Sequence, residues 1–385
     1  MVTTYRREVA LATFGNRWLA LDAFRGLTVA SMLLVNNPGT WNAIYSPLEH
    51  APWHGWTPTD LIFPFFLLIV GITTELSLDR RAAAGAGDRA IRLWIIRRGA
   101  LIVLCGLVLA AFPFFPPTRF TQIRIPGVLQ RIGICYALGG LLAWRRSSRT
   151  VALVGAALLV GYWAALTLIH IPGQAETTLD VPDQTLAAYV DRLLLQGHLW
   201  SASKTWDPEG PLSTIPAVVT GLLGILAGRW VNRPNPLPDR LNGLFASGAV
   251  LATAGLAWNW VFPINKNLWT SSYVVFSAGV ALLVLATISW LIDIHRIRRW
   301  ARPLATFGQN PLVAFLGSGA MARTMGLVLI DVAGQPVSVK EAIFARAFAS
   351  WLAPIDASLL FAVSFVVTWY LILLVFERRG WIVKI

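Results

Sequence analysis

Apolar residues run along the chain in blocks of about twenty, the length that carries an α-helix across a bilayer. The blocks fall near residues 18–36, 57–77, 93–112, 128–144, 150–169, 212–231, 241–261, 269–292, 304–328 and 357–376, which predicts ten spanning helices. A further apolar stretch at 339–353 is too short to span and carries Lys340, Glu341 and Arg346, so it is expected to lie at the interface or to re-enter. Asp22 and Arg25 interrupt the first block and no small-residue cleavage site follows it, so it is expected to stay as helix one rather than be removed as a signal peptide. The pattern predicts an all-α polytopic integral membrane protein. A single transmembrane domain is expected over residues 1–385, with the long acidic connection 170–211 folding over one membrane face as a lid.

Composition agrees with that pattern and excludes other classes. Of 385 residues, 56% are hydrophobic and 13% charged, against roughly 25% charged in a soluble domain. No water-facing core could hide so much apolar surface. The net charge of +13 would suit nucleic acid, but the Lys and Arg residues lie in short clusters between apolar blocks, so they read as topology signals and no nucleic-acid partner is expected. With ten alternating spans, one side collects 22 basic residues, among them Arg6, Arg7, Arg97, Arg98 and Lys384, and the other collects nine. The basic side is cytoplasmic by the positive-inside rule, which puts both termini in the cytoplasm. Cys105 and Cys135 sit inside apolar blocks, so neither a disulfide framework nor a zinc site is expected. The tryptophans, many near block ends, fit an interfacial belt.

Polar residues near spans are costly and therefore informative. On the predicted outer side lie Asn36 and Asn37, His50 and His54, Asp60, then Arg124, Gln130 and Arg131, then Asp207 and Glu209, and finally Asn265, Lys266 and Asn267. They belong to four separate connections, so a polar chamber opening outward is expected. His50 and His54 flank a stiff Ala-Pro-Trp connection, and Asp60 stands a few residues on, where it could orient an imidazole. A histidine so placed can take a proton from a nucleophile or attack an acyl carbon itself; the plainer reading is an interfacial histidine bonded to a loop. No GxSxG elbow, HExxH helix or Walker loop is present, so neither a nucleophilic serine nor a metal is expected. Asp22 and Arg25 share a helix face, either as a neutralising pair or as a contact to a charged ligand, and Arg131 is either a buried strut or an anion clamp.

Seven segments, in order, resemble one family: LDAFRG (21–26), LLVNN (33–37), EHAPWHGWTPTDLIFPFF (49–66), GVLQR (127–131), DPEG (207–210), INKNLWTSSYV (264–274) and FGQNPL (307–312). The set resembles the membrane domain of the heparan-α-glucosaminide N-acetyltransferase family and its bacterial relatives. That resemblance implies a transmembrane acyltransferase that passes acetyl from cytoplasmic acetyl-CoA to a glucosamine amine across the membrane. It places the family's catalytic histidine on His50 and its functional asparagine on Asn36, while His54 falls where the family has Asn. The chain starts almost at helix one, and the stretch from Asn36 to His50 is a few residues longer than in the lysosomal enzyme. Both features lie where an acceptor would approach, so a different acceptor from heparan sulfate is expected.

The sequence therefore predicts an acetyl-CoA-dependent N-acetyltransferase in the bacterial inner membrane, with an amino sugar or similar glycan as acceptor. His50 would be nucleophile or general base, Asp60 would orient it, and Asn36 would hold the thioester carbonyl or its oxyanion. Arg124, Arg131 and Lys266 are the cations expected for the CoA phosphates, and Asp207, Glu209 and Asn267 are expected at the acceptor. The lipid bilayer and a homodimer complete the expected partners. The rival from another class is a polytopic transporter of a small anionic or sugar solute, which buried charges and helices broken around Pro64 and Pro311 would serve equally.

Overall fold

The computed structural model describes residues 13–14, 17–174 and 177–383; Arg6, Arg7, Glu176 and Lys384 lie outside the described residues. Among those described, eight helices are long and apolar enough to cross a membrane. They are α1 (Leu19–Asn36), α2 (Ile62–Ala83, continuous with a 3-10 turn at Pro58–Leu61), α3 (Asp88–Ala111), α5 (Ser148–Leu168), α7 (Pro211–Val231), α8 (Leu237–Trp258), α9 (Ser271–Ser289, continued by a π turn to Ile294) and α13 (Pro354–Arg378). A short antiparallel ladder of β1 (Thr13–Phe14) and β2 (Arg17–Trp18) leads into α1. The chain is an all-α polytopic membrane protein.

Two expected spans differ from the prediction, each for a local reason. The fourth is α4 (Val128–Ala143), apolar but only 16 residues, or about 24 Å long. The ninth is split into α10 (Ala301–Gln309) and α11 (Pro311–Leu327). Pro311 brings no N–H to the ladder and pushes Asn310 out of the helical region, to φ −127° and ψ 54°. The Asn310 side chain then holds the segment after α13: its amide donates to the Trp381 carbonyl at 3.0 Å and its oxygen accepts from the Val383 N–H at 2.9 Å. The stretch 339–353 does not span; it forms α12 (Val339–Phe344) and a π turn, after a hairpin of β3 (Leu329–Val332) and β4 (Gln335–Ser338). Among its described residues the connection 170–211 carries a 3-10 turn at Pro182–Gln184 and a short helix, α6 (Leu186–Leu195).

Burial sorts the helices into a centre and a rim. In the most apolar stretch of each helix, α7 is 72% buried and α9 67%, whereas α3 is 17% and α8 22%. A helix that is apolar all round yet mostly uncovered must present its bare face to lipid. In hydrocarbon, packing rather than hydrophobicity joins helices, and small residues let backbones approach. The contact between α2 and α7 shows this: a Cβ on Gly71 would fall on the Gly221 carbonyl, and one on Gly224 on the Leu68 carbonyl. This central pair fixes the height at which the connection entering α2 meets the one entering α7.

Candidate active site

The connection between α1 and α2 is shaped by Asp60. Within the 3-10 turn, Asp60 Oδ2 accepts from the backbone N–H of Thr57 (3.0 Å) and of Ala51 (3.0 Å) and from the Thr57 hydroxyl (3.2 Å). Pro58 opens the turn, and the carboxylate closes it by reaching back to donors that would otherwise be orphaned. The second oxygen, Oδ1, is thereby aimed outward and meets His50 Nδ1 at 2.7 Å. An ionised carboxylate only accepts, so Nδ1 carries the proton and donates it, which leaves the Nε2 lone pair free for chemistry. Asp60 is 2% exposed and His50 50% exposed, so a fixed anion orients a ring that opens to the surroundings.

Lys266 arrives from the connection between α8 and α9. That connection is stiff: Asn259 Oδ1 accepts from the Ile264 N–H, Asn265 Oδ1 from the Leu268 N–H, and the Thr270 hydroxyl from the Asn265 N–H. Its backbone also joins the histidine segment, where the Gly55 N–H donates to the Ile264 carbonyl at 2.8 Å. Lys266 Nζ ends 3.0 Å from His50 Nδ1, 3.1 Å from His50 Nε2 and 3.7 Å from Asp60 Oδ1. Burial pushes the Lys266 ammonium below the usual lysine range, with Asp60 and Glu209 pulling the other way. Behind the group, the Tyr273 hydroxyl at the start of α9 donates to the Asp60 carbonyl.

A second charged group lies at the same end of the bundle. Arg124 donates from Nε to Asp207 Oδ2 at 2.8 Å and from Nη2 to Asp207 Oδ1 at 2.6 Å, and also pairs with Glu209. Burial opposes the Arg124 charge, and the two carboxylates more than offset it. Arg131, at the first turn of α4, is 1% exposed, and Nη2 donates to the Gly210 carbonyl at 3.2 Å and to the Ser213 hydroxyl. Its guanidinium lies 5.0 Å from the Trp269 ring centre, while Nε and Nη1 are buried without a hydrogen-bond partner. Asp191 on α6 accepts from the Asp207 N–H at 2.9 Å, and its other oxygen is buried and unpartnered. Burial raises the Asp191 carboxyl to about 7.

The structure therefore brings His50, Asp60 and Lys266 into one group and joins Arg124, Asp207 and Glu209 in another. Lys266 lies on the histidine, and the charge of Arg124 is met by its two carboxylates. Asn36 ends α1, exposed, outside the hydrogen bonds of either group, and Asn267 is half-buried beside Lys266 in sequence. His54 bridges the Asn265 amide (3.3 Å) and Asp180 (3.0 Å), and the Trp53 indole donates to the Leu179 carbonyl at 2.7 Å, so the 170–211 connection rests against the histidine segment. Sequence reasoning missed the roles of Asp191 and Tyr273, because nothing in spacing tells which loop carboxylate folds inward or which hydroxyl caps a turn more than two hundred residues away. At the opposite end, Arg25 donates to Asp22 (2.8 Å) and to the Gly308 carbonyl (3.0 Å), tying α1 to α10. There too Glu75 pairs with Arg229 at 2.8 Å beside a cavity of about 380 Å³.

Fold and site define a polytopic membrane protein with a carboxylate-oriented histidine at one end of its bundle. Comparison with known proteins makes the class specific: residues 17–195 match the family model described as heparan-alpha-glucosaminide N-acetyltransferase, catalytic. Heparan-alpha-glucosaminide N-acetyltransferase of Mus musculus is 28% identical over 353 residues, covering 78% of this chain and 53% of that protein. The Homo sapiens protein of the same name is 28% identical over 358 residues, covering 80% of this chain and 53% of its own length. The chain spans about half the length of these curated relatives. Over residues 17–195 the chain is therefore similar to that catalytic region, in agreement with its ordered motifs.

Proposed function

We propose that the protein is an acetyl-CoA-dependent N-acetyltransferase of the bacterial inner membrane, acting on an amino sugar or similar glycan amine at the extracytoplasmic face. The observation that carries this reading is the 2.7 Å bond from His50 to a buried Asp60, which fixes Nε2 as the basic nitrogen on a half-exposed ring. The relatives it matches are N-acetyltransferases by name, and the charge asymmetry of the connections supports an outward site with cytoplasmic termini. Nε2 either removes the acceptor amine's proton as it attacks the thioester, or attacks the thioester itself and passes the acetyl group on. Arg131, with two guanidinium nitrogens unpartnered, offers the cation for an anionic part of the donor, and the lid over 170–211 and Asn36 at the end of α1 would border the reacting group.

The test is acyl transfer by purified protein given radiolabelled acetyl-CoA and glucosamine. Wild-type protein should release CoA and label the amine, whereas a transporter would leave the thioester intact. His50→Ala should cut transfer on the order of 10² or more while costing about 1–2 kcal/mol of stability, because the lost ring is half-exposed. An active His50→Ala protein would remove the residue from the reaction. An acetyl mass on the His50 peptide with acetyl-CoA alone selects the covalent route.

A further inference from the structure

We infer that Lys266 is a second catalytic residue, the general acid that protonates the departing thiolate and is then recharged by the acceptor's proton. The inference rests on the acetyltransferase reading above. Three observations carry it. First, Nζ lies 3.1 Å from His50 Nε2, the nitrogen that the Asp60 bond leaves basic, and 3.0 Å from Nδ1, hence over the ring face, so proton exchange needs no bridging water and only a swing of the lysine side chain into line with the Nε2 lone pair. Second, the connection that delivers Lys266 is pinned at Asn259, Asn265 and Thr270 and tied to the histidine segment through Gly55, so the backbone that presents the ammonium is held beside the ring. Third, Lys266 Nζ stands 3.7 Å from Asp60, beyond a good hydrogen bond, and the carboxylate is already met by three other donors and the imidazole. A lysine needed only to neutralise Asp60 would close on it; this one lies closer to the ring.

The step balances in either route. In direct transfer, the amine nitrogen forms a bond to the acyl carbon as its proton passes to His50 Nε2. The carbon–sulfur bond breaks, the electron pair goes to sulfur, and Lys266 gives sulfur a proton. The imidazolium then returns its proton to the neutral Lys266 amine, which lies 3.1 Å from Nε2 and swings into line with it, restoring both residues. In the covalent route, Nε2 bonds to the acyl carbon while Lys266 protonates sulfur, and in the second half the neutral Lys266 amine takes the proton of the attacking acceptor. One thioester and one amine become one amide and one thiol in both cases. A thiolate leaving group is basic, with the cysteine side chain itself at about 8.5, so an ammonium that burial brings below the usual lysine range can give it a proton as the carbon–sulfur bond breaks. The charged groups that bear on Lys266 are His50 and Asp60 from the connection entering α2, Glu209 from that entering α7, and Arg131 from α4.

The experiment varies the leaving group. Lys266→Met and Lys266→Arg are assayed with acetyl-CoA and with a p-nitrothiophenyl thioacetate, whose thiolate departs without a proton, using glucosamine as acceptor. With acetyl-CoA both variants should lose on the order of 10² or more in kcat; with the activated thioester they should fall within about tenfold of wild type. Lys266→Arg keeps the charge, so it separates proton donation from charge. The alkaline limb of the wild-type pH profile for acetyl-CoA should be missing in Lys266→Arg. Equal losses on both thioesters would overturn the inference, as would full activity of either variant with acetyl-CoA. His50→Ala should lose activity with both thioesters. Should it stay active, the histidine reading fails, while leaving-group dependence still decides Lys266.

Discussion

Replacing Asp60 by Asn tests whether the buried carboxylate works through the tautomer it imposes. The substitution is nearly isosteric and alters only donor and acceptor character. In the native protein Oδ2 accepts from the N–H groups of Ala51 and Thr57, two donors that demand an acceptor, while the Thr57 hydroxyl also has the Glu49 carbonyl at 2.6 Å. The oxygen of the new side-chain amide must therefore take that side, which turns the NH2 group toward His50 Nδ1 at the 2.7 Å position. A donor there forces Nδ1 to accept, moves the ring proton to Nε2 and leaves the reacting nitrogen without its lone pair. The expected loss in transfer is on the order of 10² to 10⁴, from an orientation error alone. Stability should fall by about 1–3 kcal/mol, because bonds to a charge become bonds to a neutral oxygen while no buried N–H is stranded. The assay is kcat with acetyl-CoA and glucosamine alongside thermal unfolding in the same detergent. Combining Asp60→Asn with His50→Ala should cost little beyond His50→Ala, since the pair acts as a unit. A folded Asp60→Asn protein retaining more than about a tenth of wild-type kcat would refute the tautomer argument.

Two further outcomes are expected. Between about pH 4, where Asp191 would ionise in the unfolded chain, and about 7, where it ionises in the fold, the folded state holds the extra proton, so stability should decline as pH rises through that window; Asp191→Asn should flatten the decline, and an unchanged slope in pH-dependent unfolding would show that another group sets it. Single cysteines at the exposed positions Glu49 and Lys204, in a background without Cys105 and Cys135, should react with an impermeant thiol reagent on intact cells while one at Ser148 should not, and the reverse pattern would turn the site inward.

Helices were legible in the sequence because apolar length is a one-dimensional property, read without knowing any neighbour. The eight long spans follow from it directly. The two departures are also local. Fourteen apolar or small residues among the 16 of α4 leave it short once Gly127 and Trp144 close its ends, and Pro311, directly after the polar Gln309 and Asn310, divides a block that a wide window averages into one. Window averages blur a single proline or an early stop, although both residues were there to be read. What no window holds is which helix lies in the centre. The apolarity of α3 matches that of α2, yet 17% of one and 56% of the other is buried, because the difference resides in the small residues at 71, 221 and 224 that let α2 and α7 meet.

The site was legible only in part, for a related reason. His50 and Asp60 lie ten residues apart on one connection, so their pairing is nearly a local fact, and the sequence could propose it. Lys266 lies 216 residues from His50, and charge alone suggested an anionic ligand for it. Arg124 carries the same ambiguity: a cation beside a membrane span reads as a phosphate clamp, and only the fold sets Asp207 and Glu209, more than eighty residues on, against it. A buried charge must find a partner, and the sequence states that obligation without naming the group that meets it. In Arg131 the obligation is only half met. Its Nη2 is bound within the fold while Nε and Nη1 are not, and a buried donor without an acceptor costs about 1–3 kcal/mol. Lys266 and Arg131 thus differ in kind: the first has its partners and a proton to exchange with them, whereas the second has spare N–H groups and no proton to give at neutral pH. On the proposed reading, proton transfer falls to the lysine and anion binding to the arginine, a division that their shared positive charge conceals in the sequence.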